Sequence, residues 1–66
     1  MQIFLNGQML DLSDDISLVE LLEQQGYAQR RVAVEVNRSI VPRSQHGLYL
    51  LNDGDKVEIV HALGGG

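Results

Sequence analysis

A chain of 66 residues without a single cysteine has to fold on apolar packing alone. Domains of this size bury only ~60% of the surface that their unfolded chains expose, so many of them need disulfides or a metal. Here no thiol is present to form a disulfide or bind a metal, and the only imidazoles are His46 and His61. A regular, closely packed core of Val, Leu and Ile is therefore required. One domain fits in this length, and a cleft with several supporting loops does not. Nine acidic side chains against five basic ones give a formal charge of −4, which repels phosphate backbones and acidic headgroups and argues against nucleic acid and membrane partners. No run approaches the ~20 apolar residues of a membrane span, and the first residues lack a basic region followed by an apolar stretch, so the sequence reads as cytoplasmic.

Local patterns then lay out the elements. Ile3 and Leu5 alternate on one face of an opening strand, and Asn6-Gly7 supplies two residues that tolerate positive φ, a strong hairpin signal. The return strand is Gln8 to Leu12, halted by Ser13-Asp14-Asp15. Ser17 stands three residues before Glu20, the spacing of a reciprocal capping box, with Ile16 and Leu21 placed to clasp outside it. The helix expected over residues 18–25 carries Leu18, Leu21, Leu22 and Gln25 at helical spacing, and Gly26 closes its last turn. Val32 to Val36 alternates as a half-buried strand. Asn37-Arg38-Ser39 turns the chain into Ile40-Val41, where Pro42 ends the pairing or marks an edge. A short strand is expected at Leu48 to Leu51. After the turn Asn52-Asp53-Gly54-Asp55, a final strand runs from Lys56 to Ala62 with Val57 and Ile59 inward.

The order hairpin, helix, strand, short strand, strand suits one mixed sheet of four to five strands with a single main helix on one face. First and last strands cannot be joined by a tight turn, so they are expected as parallel neighbours across a helical crossover. This is an α+β plan, the β-grasp or ubiquitin-like fold. It spans residues 1–62 and leaves residues 63–66 as a flexible glycine tail.

Several segments in this order resemble a known family. Met1-Gln2-Ile3 with Asn6-Gly7, the helix Leu18-Val19-Glu20-Leu21-Leu22, Val34-Glu35-Val36-Asn37, Ile40-Val41-Pro42-Arg43, the run Asn52-Asp53-Gly54-Asp55-Lys56-Val57-Glu58-Ile59-Val60 and the final glycines together look like the ThiS family of sulfur carriers. Each segment alone is weak, but their order, the total length and the closing glycines are jointly specific. The resemblance implies a protein co-substrate rather than an enzyme, with no bound cofactor. In that family a ubiquitin-activating-like adenylyltransferase of ThiF type uses ATP to adenylylate the C-terminal glycine. A persulfide donor supplies sulfur, and the resulting thiocarboxylate serves a thiazole synthase of ThiG type in thiamine biosynthesis. The family commonly ends in two glycines, and this chain ends in three.

The residues support that chemistry independently. An α-carboxylate is ionised at neutral pH (pKa ~3.5), and its charge repels nucleophiles until it is activated. Coupling Gly66 to AMP removes the charge and installs a leaving group, after which sulfur on another protein attacks the carbonyl. Without cysteine the chain has no persulfide of its own, so the terminus is the expected point of carriage. Gly64 and Gly65, lacking Cβ, suit threading into a narrow channel, and residues 63–66 reach at most ~14 Å beyond the last strand.

Phe4 and Val60 fall on the solvent-facing parity of their strands and, with Ala62 and Leu63, form a candidate partner-binding patch. The alternatives, isolated exposed apolar residues or a twist that carries them inward, stand beside it. His46 and His61 lack the supporting ligands of a metal site, so no metal is expected. Arg30, Arg31, Arg38 and Arg43 concentrate the positive charge mid-chain, where an acidic partner surface could meet them, but such clusters are usually solvated faces and no role is assigned to them. No serine has a general base placed by the sequence. Competing functions are a molybdopterin-type sulfur carrier on the same fold, a ubiquitin-like modifier ending as an amide on lysine, and a β-grasp binding module with an inert tail.

Overall fold

A computed structural model of the chain describes residues 1–61, His61 by its backbone alone. The expected hairpin is present as β1 (Gln2–Leu5) and β2 (Gln8–Asp11), paired antiparallel with Phe4 opposite Met9 and Leu5 opposite Gln8. Asn6 at φ 50° and Gly7 at φ 83° make the two-residue turn, whose twist matches the strands it joins. The ladder stops at Asp11, one residue short of the expected Leu12. That residue still gives its N–H to the Met1 carbonyl at 2.8 Å.

Helix α1 (Leu18–Gln24) begins at the expected capping box. The Glu20 N–H donates to Ser17 Oγ at 3.2 Å and the Ser17 N–H donates to Glu20 Oε1 at 3.1 Å. Its other end is a Schellman closure: Gly26, at φ 83°, donates to the Glu23 carbonyl, and Tyr27 donates to the Leu22 carbonyl at 2.8 Å. Strand β3 (Val32–Val36) turns through Asn37 and Arg38, both at positive φ, into β4 (Ser39–Ile40). Strand β5 (Lys56–His61) follows the Asn52–Asp55 turn, in which Gly54 takes φ 85°.

The five strands form one mixed sheet in the order β2-β1-β5-β3-β4. The first and last strands are parallel neighbours, Leu5 beside Val57, as the topology argument required. Ile3, Leu18, Leu21, Val34 and Val57 are fully buried where α1 lies on the sheet. Each such side chain contributes about 1.5–3 kcal/mol by leaving water, which is how a chain without cross-links stays folded.

One expected element is absent. Residues 48–51 form no strand. A 3-10 turn over Arg43–Gln45 follows Pro42, and the Gln45 carbonyl then accepts the N–H groups of both Leu48 and Tyr49 at 3.0 Å. Those donors are spent in a turn, so only an isolated bridge between Leu50 and Ser17 remains. Among the described residues no helix is long and apolar enough to cross a membrane.

Candidate functional site

Strand β5 is the structural centre of the site because it ends the described residues, at His61, and the glycines follow it in sequence. It has a neighbour on each side: β3 pairs along its whole length, from Val36 opposite Val57 to Val32 opposite His61. On the other side β1 pairs only near its start, because the hairpin turns away at Leu5. One side chain makes up part of the difference. Asn6 Oδ1 accepts the Ile59 N–H at 2.9 Å, adding one rung to the ladder after the β1 backbone has left. At the start of the strand, Asp55 is buried. Its Oδ2 accepts the Asn52 N–H at 2.8 Å and its Oδ1 accepts from Asn37 Nδ2 at 3.0 Å, while Asn37 Oδ1 takes the Lys56 N–H. Carboxylate and carboxamide thus close off backbone donors that would otherwise lack partners.

The uncovered face of the sheet follows from register. Phe4 and Val60 lie on it, as their parity indicated, at 38% and 54% exposure. They do not touch as one cluster. Phe4 stands beside Lys56, and Val60 is four residues farther along β5, about 13 Å away at strand rise. Phe4 instead pairs with Met9, itself 60% exposed, and Val60 pairs with Ala33. Sequence reading missed Met9, although the two-residue Asn6-Gly7 turn fixes its place opposite Phe4.

Between the two apolar pairs, Glu35 and Glu58 face each other directly across β3 and β5. Like charges in that position weaken a sheet, so the uncovered face is both apolar at two points and acidic between them. Ala62, Leu63, Gly64, Gly65 and Gly66 lie outside the described residues.

The basic side chains gather elsewhere. Arg30 and Arg43 border a groove of about 300 Å³ between α1, the segment leading into β3 and the 3-10 turn, with Val19, Leu22 and Tyr27 along it. His46 supports that wall from beneath. It is buried, and its Nε2 lies 2.9 Å from the Val41 carbonyl, which only accepts, so the nitrogen carries the hydrogen. It is a structural histidine. Among the described residues no group of three metal-ligating side chains occurs.

Residues 3–66 match the model of the ThiS family. The sulfur carrier protein ThiS of Escherichia coli is 35% identical over 66 residues, with both chains covered end to end. The crystal structure of a thiamine biosynthesis protein (ThiS) from Geobacter metallireducens superposes over the whole of both chains with a TM-score of 0.87 at 30% identity. A thiazole synthase of Paramagnetospirillum magneticum is 42% identical across this entire chain, which spans only 20% of that longer protein. The parallel pairing of first and last strands, the single capped helix and the agreement along the chain's full length converge, and the chain belongs to the ThiS family.

Proposed function

We propose that this protein carries sulfur for thiazole formation in thiamine biosynthesis, on the carboxylate of Gly66, and is acted on by partner enzymes rather than catalysing a reaction itself. The observation that carries the reading is the end-to-end match to a named sulfur carrier by a chain that has glycines at 64–66 and no cysteine.

In the proposed sequence the Gly66 carboxylate attacks the α-phosphorus of ATP on an activating enzyme, releasing pyrophosphate and leaving an acyl-adenylate. The terminal sulfur of a protein persulfide then attacks the carbonyl and displaces AMP. A thiol next cleaves the sulfur–sulfur bond of the acyl persulfide, becoming part of a disulfide and freeing the thiocarboxylate. The carrier's own part is geometric. Strand β5, paired to β1 near its start and to β3 through His61, gives the chain a firm base for the residues that follow, so that once the domain docks the terminus reacts at high effective concentration. The match to a thiazole synthase that contains a homologous region supports such an enzyme as the recipient. Phe4 and Val60, with Ala62 and Leu63, are proposed to meet the partners.

Intact mass reports the outcome. Incubation with ATP, a persulfide source and the host's activating enzyme is expected to raise the mass by the difference between sulfur and oxygen. Deletion of Gly65 and Gly66 is expected to abolish that change. An unmodified full-length chain, in a mixture that converts a known carrier, would sink the proposal and favour a binding module.

A further inference from the structure

Charge is distributed unevenly along β5. Near its start, Asp14, Asp15 and Asp53 line one hollow, relieved by the Met1 amino group 3.4 Å from Asp14. Near its finish, Val32 pairs with His61 and also lines the groove bordered by Arg30 and Arg43. Of the five basic side chains, Arg30 and Arg43 thus lie together near the finish of β5, whereas Lys56 opens the strand and Arg38 stands in the turn beside that opening. Only Glu23 adds an acid to the groove, whose apolar floor is Val19, Leu22, Tyr27 and Val32. Val19 stays 41% exposed on the helix above it.

We propose that this groove seats an acidic segment of the activating enzyme, one in which an aliphatic or aromatic side chain lies between carboxylates. The apolar side chain would occupy the floor and the carboxylates would meet the two guanidinium groups. The inference rests on the sulfur-carrier reading and deepens it. The activating enzyme is the partner chosen because it must receive an anionic terminus beside an anionic nucleotide. An acidic chain approaching such a site is repelled unless a basic patch such as this groove is turned toward a negative rim. That orientation turns the finish of β5, which the glycines follow in sequence, toward the site. The groove therefore orients the encounter, and the uncovered sheet face remains a separate surface.

The test titrates the full chain against its host's activating enzyme at low and at physiological salt. Arg30→Glu, Arg43→Glu and Arg38→Glu change the net charge equally, and all three side chains are exposed, so each variant should fold, which thermal melts check. Arg38 lies in the β3–β4 turn and is not among the groove residues. Arg30→Glu and Arg43→Glu are each expected to weaken association by roughly tenfold at low salt, chiefly through the on-rate, with Arg38→Glu within about twofold of wild type. Equal losses in all three variants would show only a general charge effect and overturn the proposal, as would unchanged affinity in the groove variants. It would also fall if the groove variants lost binding to thiazole synthase and kept it to the activating enzyme. A dimer of the isolated chain that Arg43→Glu dissolves would assign the groove to a second copy instead. Wild-type thiocarboxylate formation is measured alongside: its absence defeats the sulfur-carrier reading, whereas its presence with unaltered groove variants defeats the groove assignment alone.

Discussion

Asn6 has two separable tasks, and Asn6→Gly removes one while keeping the other. Glycine accepts the φ of 50° that the hairpin turn needs, but it has no oxygen for the Ile59 N–H now held at 2.9 Å. Ile59 is buried, so its amide gains little from water in exchange. Leaving such a donor unpaired costs about 1–2 kcal/mol. The greater freedom of glycine in the unfolded chain and its ease at positive φ act in opposite directions and nearly cancel. At about 2.1 cal/mol/K of unfolding entropy per residue, a chain this short loses roughly 7 °C of Tm per kcal/mol, so the variant should melt about 7–14 °C below wild type. Asn6→Asp retains both the left-handed tolerance and an acceptor oxygen, and should lose less than half as much. Circular dichroism melts give the first number, and native-state hydrogen exchange of the Ile59 amide tests the cause. A glycine variant that melts within about 2 °C of wild type, with Ile59 still protected, would refute the reasoning.

Two further outcomes follow from side chains already placed. Ser17→Ala removes the oxygen that accepts the Glu20 N–H and leaves the backbone half of the capping box in place, and should cost about 1 kcal/mol, or roughly 7 °C of Tm, most of it restored by Ser17→Asp. Glu58→Gln removes the like-charge pair with Glu35 and should raise Tm by about 1–4 °C at low ionic strength. That gain should vanish near 1 M salt, where the screening length falls to about 3 Å.

Features that depend on near neighbours along the chain are legible in the sequence itself. Asn6-Gly7 announces the hairpin, Ser17 and Glu20 the helix start, Gly26 its end, and the Val32–Val36 alternation the strand that buries Val34 and Val36. The parity that puts Phe4 and Val60 on the uncovered face is equally local.

What escapes such reading is set by distant partners. Leu48-Tyr49-Leu50-Leu51 has strand-like composition, yet where its N–H groups go depends on the Gln45 carbonyl and, for Leu51, on the Ile16 carbonyl. The separation of Phe4 from Val60 emerges only because β1 ends at Leu5 while β5 continues. The bond from Ile59 to Asn6 spans 53 positions, and no periodicity reports it. The groove likewise combines α1, the segment before β3 and the 3-10 turn, so the sequence groups Arg30 and Arg43 with Arg31 and Arg38 and does not single out the pair that shares it.

The central position of β5 also decides how the domain responds to tension. A partner that draws on the chain beyond His61 pulls β5 along its own axis, between β1 on one side and β3 on the other. The ladder bonds run mainly across that direction, so they are loaded in shear and share the force instead of opening one after another as they would at a peeling edge strand. Resistance to such a pull is set by the unfolding rate rather than by equilibrium stability. A small domain without cross-links thus meets a pull at that end with its ladder bonds in shear.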